Sequence, residues 1–111
     1  MSEFAAFLEK TFGAAPSDLL PFERAVTHAS VGRDSYDRLE FLGDRVLGLV
    51  VASWLYERFP GEPEGLMSKR FNALVSRETC AEVGRALGVP AHIRLGKQAR
   101  EIGRASCRER V

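Results

Sequence analysis

Apolar side chains recur along this chain at helical spacing and stop at glycine and proline. Phe4, Phe7, Leu8 and Phe12 mark one face of a first helix, and Gly13 ends that pattern. Ser17 or Asp18 is placed to cap a second helix carrying Leu19, Leu20, Phe22, Val26 and Ala29, with Pro21 in its first turn and Gly32 closing it. Asp34 or Ser35 can cap a third, from about Tyr36 to Phe59. The run Pro60-Gly61-Glu62-Pro63 must break the chain. Beyond it, Leu66, Phe71, Leu74, Val75, Cys80, Val83 and Leu87 predict one or two further helices, ended by Gly88 and Pro90. No stretch sustains period-two alternation, so the expected class is all-α. The third helix carries Leu47, Leu49, Val50, Val51, Trp54 and Leu55 in nearly every direction around its axis. A helix apolar all round is a buried one, so this helix is expected to run through the middle of the domain.

That expectation makes its first half unusual. Asp37, Glu40 and Asp44 sit at i, i+3 and i+7, within about 60° of one another on a helical wheel. Acidic neighbours one turn apart repel by about 0.2–0.5 kcal/mol on an exposed helix, and more once partly buried. A divalent cation would offset that cost, since magnesium takes oxygen ligands, often one or two carboxylates completed by water and phosphate oxygens. The competing reading is a solvated acidic face, with Asp37 near enough to the helix start to favour the dipole. Charge spacing alone favours the solvated face; the surrounding string decides.

That string is Asp37-Arg38-Leu39-Glu40-Phe41-Leu42-Gly43-Asp44-Arg45-Val46-Leu47. It resembles the signature of the ribonuclease III family, with Asp at a position usually held by Glu. Thr27-His28-Ala29-Ser30, Glu64-Gly65-Leu66-Met67-Ser68-Lys69, Asn72-Ala73-Leu74-Val75-Ser76 and Leu95-Gly96-Lys97 resemble further family segments in the same order. The resemblance covers roughly residues 3 to 100. It implies a ribonuclease III-like helical endonuclease domain with a central, buried signature helix. It further implies hydrolysis of double-stranded RNA, including ribosomal and messenger precursors, with carboxylate-bound Mg2+ in a cytoplasmic homodimer.

Residue by residue, Glu40 and Asp44 match the family's metal-ligating carboxylates. Asp37 falls near the substrate and metal, with a reach one methylene shorter than Glu. Glu64 matches an acidic position bordering the catalytic valley. Phe41 matches an aromatic residue that packs across the family's dimer interface. Gly43 would let another backbone approach, offsetting its cost of about 1 kcal/mol within a helix. Arg45 departs from the usual small residue. His28 is expected to be a hydrogen-bonded packing residue rather than a general base, and Cys80 a small buried apolar group. Lys69, Arg70 and Arg77 are open to two readings, phosphate contacts or a solvated face.

The chain has 111 residues, 45% of them apolar, which suffices for one small domain. Its net charge of +1 is low for a domain that grips nucleic acid unaided. Two cysteines make neither a disulfide framework nor a metal motif. The amino terminus lacks the features of a signal peptide, and the most apolar run, Val46 to Leu55, is too short to span a bilayer. No membrane association is expected.

The family's later D-x-x-E-A-like segment, which completes the metal site, does not follow Leu95-Gly96-Lys97. The chain continues instead as Glu101-Ile102-Gly103-Arg104-Ala105-Ser106-Cys107-Arg108-Glu109-Arg110-Val111. This resembles an in-frame translation of a common sequencing adapter. Residues 1–100 are therefore read as a nuclease domain incomplete at its carboxyl end, and 101–111 as a non-native tail. Such a chain is expected to bind magnesium weakly and to cleave poorly or not at all. The alternative is a non-catalytic dimerisation or RNA-associated module of the same fold.

Overall fold

The computed structural model describes residues 2–32 and 35–96, and the readings placed on Asp34, Lys97 and residues 101–111 lie outside them. The helices are α1 (Glu3–Phe12), α2 (Leu20–Ala25), α3 (Asp37–Arg58), α4 (Glu64–Leu74) and α5 (Arg77–Leu87), with short 3-10 turns at Ala29–Val31 and Val89–His92. Among the described residues the only extended pairing is one isolated parallel bridge, Thr27 with Arg94. The all-α expectation holds. The chain divides into two compact units, one formed by the residues up to Leu39 together with those from Ala91, the other by Glu40–Pro90.

In the first unit, α1 starts where Ser2 Oγ accepts the Ala5 N–H at 3.1 Å. It ends at Gly13, whose left-handed φ of 85° turns its N–H back onto the Glu9 carbonyl. Ala5 and Leu8 are buried, and the Phe7 ring stacks on His92 at 4.2 Å. The second helix is shorter than its apolar pattern suggests. Asp18 Oδ1 accepts the Leu20 N–H at 3.0 Å, but the helix stops at Ala25. The backbone beyond it is spoken for elsewhere: Arg94 N–H donates to the Val26 carbonyl, His28 N–H to the Arg94 carbonyl and Tyr36 N–H to the Thr27 carbonyl, each at 2.8 Å. Thr27 is buried, and its hydroxyl donates to the Glu23 carbonyl at 2.6 Å.

His28 holds this segment together, as a packing residue should. Its Nδ1 accepts the Ser30 N–H at 3.0 Å, and its ring meets Tyr36 edge-on. Ser30 Oγ in turn accepts the Gly96 N–H at 2.8 Å.

In the second unit, Leu55 of α3 is buried at 1% exposure. Phe71 of α4 lies so near the helix that a Cβ on Gly48 would sit 3.5 Å from its ring. Ser76 caps α5 by accepting the Thr79 N–H at 3.1 Å, and Gly88 closes that helix with φ 85°.

Three sequence expectations need correcting here. The long helix is not covered on all sides: Phe41, Leu42, Val46, Leu49, Val50 and Trp54 are exposed, Leu49 to 70%. Within its own unit only α4 and α5 are available to cover it, and the burial goes to the face that carries Leu55. Cys80 is likewise exposed, because Val83 and Leu87, its neighbours on the apolar face of α5, are open as well. In addition, a Cβ at Gly43 would meet nothing within 4 Å, so no backbone approach among the described residues calls for that glycine.

The α3–α4 loop is fixed by Arg70. Its Nε and Nη2 form a fork on the Glu62 carboxylate, at 2.9 and 2.7 Å, and its guanidinium lies 4.0 Å over the Phe59 ring. That commits Arg70 to the fold rather than to a phosphate. The hydrogen bond from Arg70 holds the Glu62 carboxyl below the usual carboxylate range, against a smaller opposing effect of burial. A carboxyl whose pKa is lower in the folded than in the unfolded chain stabilises the fold above its ordinary range. That contribution fades as pH falls through the folded value. Glu62→Gln should therefore unfold at lower urea than the wild type near neutral pH, and the gap should close on acidification. A gap that persists in acid would rule out this linkage.

Candidate functional site

The acidic residues stand on three different footings. Asp37 is the first residue of α3 and belongs to the first unit; its N–H reaches Ser35 Oγ at 3.4 Å. Glu40 and Asp44 lie in the second unit, one helical turn apart on one face of α3, and both are exposed. Glu64 opens α4 and accepts a 3.0 Å hydrogen bond from the Ser68 hydroxyl. Among the described residues no three His, Cys, Asp or Glu side chains come together as a metal-holding group. The structure thus pairs Glu40 with Asp44 through the helix and does not bring Glu64 within reach of the same ion.

The pair suits one class of ion. Both donors are hard carboxylate oxygens, and two carboxylates with solvent on the open side match what magnesium accepts, since it keeps several of its waters. The Glu40 side chain has no hydrogen-bond or ion-pair partner among the described residues. Asp44 has one: Arg45 Nη1 lies 3.4 Å from its Oδ2.

Arg45 is the residue the sequence left unplaced. Its guanidinium lies 4.0 Å over the Phe41 ring, and Nη1 also donates to the Phe41 carbonyl at 3.3 Å. The i, i+4 spacing of an aromatic and an arginine was the available signal. Phe41 itself is 64% exposed, so it has room for a partner surface.

A cleft of about 290 Å3 opens in the second unit between α3 and α4. Leu55, Met67 and Phe71 line it with Glu64, Ser68 and Asn72. The polar trio recurs at every fourth residue along α4, which puts all three on one side of that helix. Sequence reasoning singled out Glu64 and passed over Ser68 and Asn72 as site residues.

Comparison with known proteins fixes the family. The model of the Ribonuclease III domain matches residues 37–109, well over half of the chain. The chain belongs to the ribonuclease III family. It is 55% identical over 103 residues to Ribonuclease 3 of Zymomonas mobilis, covering 93% of this chain and 42% of that relative. Against Ribonuclease 3 of Brucella canis the identity is 46% over 101 residues, covering 88% and 41%. The chain thus spans about two fifths of the length of these curated relatives.

Two solved structures of the ribonuclease III nuclease domain from Campylobacter jejuni share the fold. One superposes with a TM-score of 0.83 at 31% identity, covering 92% of this chain and 70% of that one. The other gives 0.82 at 33%, covering 87% and 68%, and is described for structural flexibility in a region involved in dimer formation. These matches agree with the resemblance carried by DRLEFLGD and with a helical nuclease-domain fold. No helix among the described residues is long and apolar enough to cross a membrane.

Proposed function

We propose that the chain forms part of the nuclease domain of an endoribonuclease that hydrolyses phosphodiester bonds of double-stranded RNA, with Glu40 and Asp44 as ligands to Mg2+. The observation that carries this reading is the placement of two exposed carboxylates one turn apart on α3, inside the family's signature string. Bound magnesium would make a coordinated water more acidic, easing its delivery as hydroxide, and would neutralise charge building on the phosphoryl oxygens. The protein's part is to present ionised oxygens at a fixed spacing on a rigid helix. Neither Glu40 nor Asp44 moves a proton in this scheme. Asp37 and Glu64 act nearer the substrate, and Phe41 serves a homodimer in which each subunit cuts one strand. An A-form duplex is recognised by its shape, 2′-hydroxyls and phosphates, with little reading of bases. The proposed setting is the cytoplasm, with ribosomal and messenger precursors as substrates.

A second reading, a non-catalytic dimerisation or RNA-associated module, is favoured by one observation: no third carboxylate joins Glu40 and Asp44 among the described residues. The experiment that separates the two is a cleavage assay on long end-labelled duplex RNA, using both this chain and a full-length protein that carries this domain. Magnesium-dependent cutting by the latter, stopped by EDTA and leaving 5′-phosphate and 3′-hydroxyl ends, supports the enzyme. Duplex bound but never cut by either protein would reject it in favour of the module.

A further inference from the structure

Arg45 follows Asp44 directly on the signature helix, and three contacts fix where its charge lies. The guanidinium stacks 4.0 Å over Phe41. One of its nitrogens, Nη1, donates to the Phe41 carbonyl at 3.3 Å. The same nitrogen reaches Asp44 Oδ2 at 3.4 Å. Each contact alone is weak: the ion pair is solvent-exposed, 60% on one side chain and 68% on the other, and such pairs contribute little to stability. Their combined effect is positional. An arginine held on an aromatic ring one turn back spends more of its time beside Asp44 than a free one would. Glu40, the other carboxylate of the pair, has no such cation among the described residues.

We propose that Arg45 is an internal competitor for Asp44, a resident cation that weakens divalent-ion binding at the Glu40–Asp44 pair. A metal ion arriving at Asp44 meets this positive charge, and binding through Oδ2 requires displacing a hydrogen-bond donor. Phe41 is the positioning residue for that charge. The inference rests on the metal role of Glu40 and Asp44 proposed above. Its signature is a gain: removing a group with a merely structural role does not tighten metal binding, whereas removing a competitor does.

The test is titration of Mn2+ against the full 111-residue chain, with free Mn2+ read by its EPR signal, so that catalysis is not needed. Arg45→Gln removes the charge and leaves a shorter, polar, uncharged side chain. It should bind Mn2+ about 3–10-fold more tightly at low ionic strength, and the gain should shrink as salt screens the pair. Arg45→Lys, which keeps the charge, should stay within about twofold of wild type by the same electrostatic argument. Asp44→Asn should bind more weakly than all three. If Arg45→Gln binds Mn2+ no better than wild type while Asp44→Asn binds worse, the competition is refuted and the metal site stands. If neither Asp44→Asn nor Glu40→Gln changes Mn2+ binding, the metal site itself is wrong and the competition falls with it.

Discussion

Asp44→Asn, and separately Glu40→Gln, should abolish magnesium-dependent cutting of duplex RNA by a full-length protein carrying this domain while leaving RNA binding intact. Both substitutions keep side-chain volume and remove one ionised oxygen donor on α3. Losing a group that merely supports a metal ligand commonly costs 10–100-fold, so losing a ligand should cost at least about 100-fold in rate. Gel-shift affinity for the same duplex should hold or improve, since each substitution deletes a negative charge from the surface proposed to face phosphates. The rate at saturating magnesium is the deciding number. Wild-type rates from either variant would remove Glu40 and Asp44 from the chemistry and leave the acidic face merely solvated.

The second large effect falls on stability. Gly96→Ala should lower the thermal midpoint of the chain by about 8–24 °C, taking about 2–3 kcal/mol of overpacking and the roughly 4–8 °C that each kcal/mol shifts in a domain of this size. A Cβ on Gly96 would lie 2.7 Å from the Ser30 carbonyl oxygen and 3.1 Å from its Oγ. Flexible side chains relieve such a clash by rotating away, but here the nearest atom is backbone. Ser30 is held within a 3-10 turn, where Val31 N–H donates to the His28 carbonyl at 3.0 Å and Gly32 N–H to the Ala29 carbonyl at 3.2 Å. Yielding would also lengthen the 2.8 Å bond from Gly96 N–H to Ser30 Oγ. Ser30→Ala, which removes that bond without a clash, should cost less, about 1 kcal/mol. A midpoint for Gly96→Ala equal to wild type would mean the close approach is not maintained in solution.

Local signals in the sequence account for the helix ends. Gly13 and Gly88 adopt the left-handed conformation that terminates α1 and α5, and Ser76 supplies a cap that its position before Arg77 advertises. Capping residues and the proline break set the bounds of the long helix to within a residue or two of Asp37–Arg58, and its period places Glu40 and Asp44 one turn apart. What failed depended on partners distant in sequence. Val26 to Ala29 has helical composition, but its backbone groups bond to Arg94 and Tyr36, and no short window announces that. Periodicity showed that Leu42, Val46 and Leu49 are apolar; it could not show what covers them, and within the described residues little does. Cys80 was misjudged for the same reason. Arg45 escaped because its placement over Phe41 depends on a rotamer, and sequence spacing fixes only the backbone from which that rotamer departs.

The bridge between Thr27 and Arg94 also bears on the order in which the chain takes shape. The unit it closes is assembled from two segments, with all of Glu40–Pro90 made between them on the ribosome. Closing so long a loop carries an entropic cost before any contact returns it, and contacts of large sequence separation slow folding. The contiguous unit has no such wait. During synthesis α3, α4 and α5 can therefore settle first, while Val26, Thr27 and His28 stay unpaired until Arg94 clears the exit tunnel. The expected order therefore has the first unit begun earliest and completed last, and pulse-labelled hydrogen exchange that protects the His28 and Arg94 amides before those of α4 would overturn it.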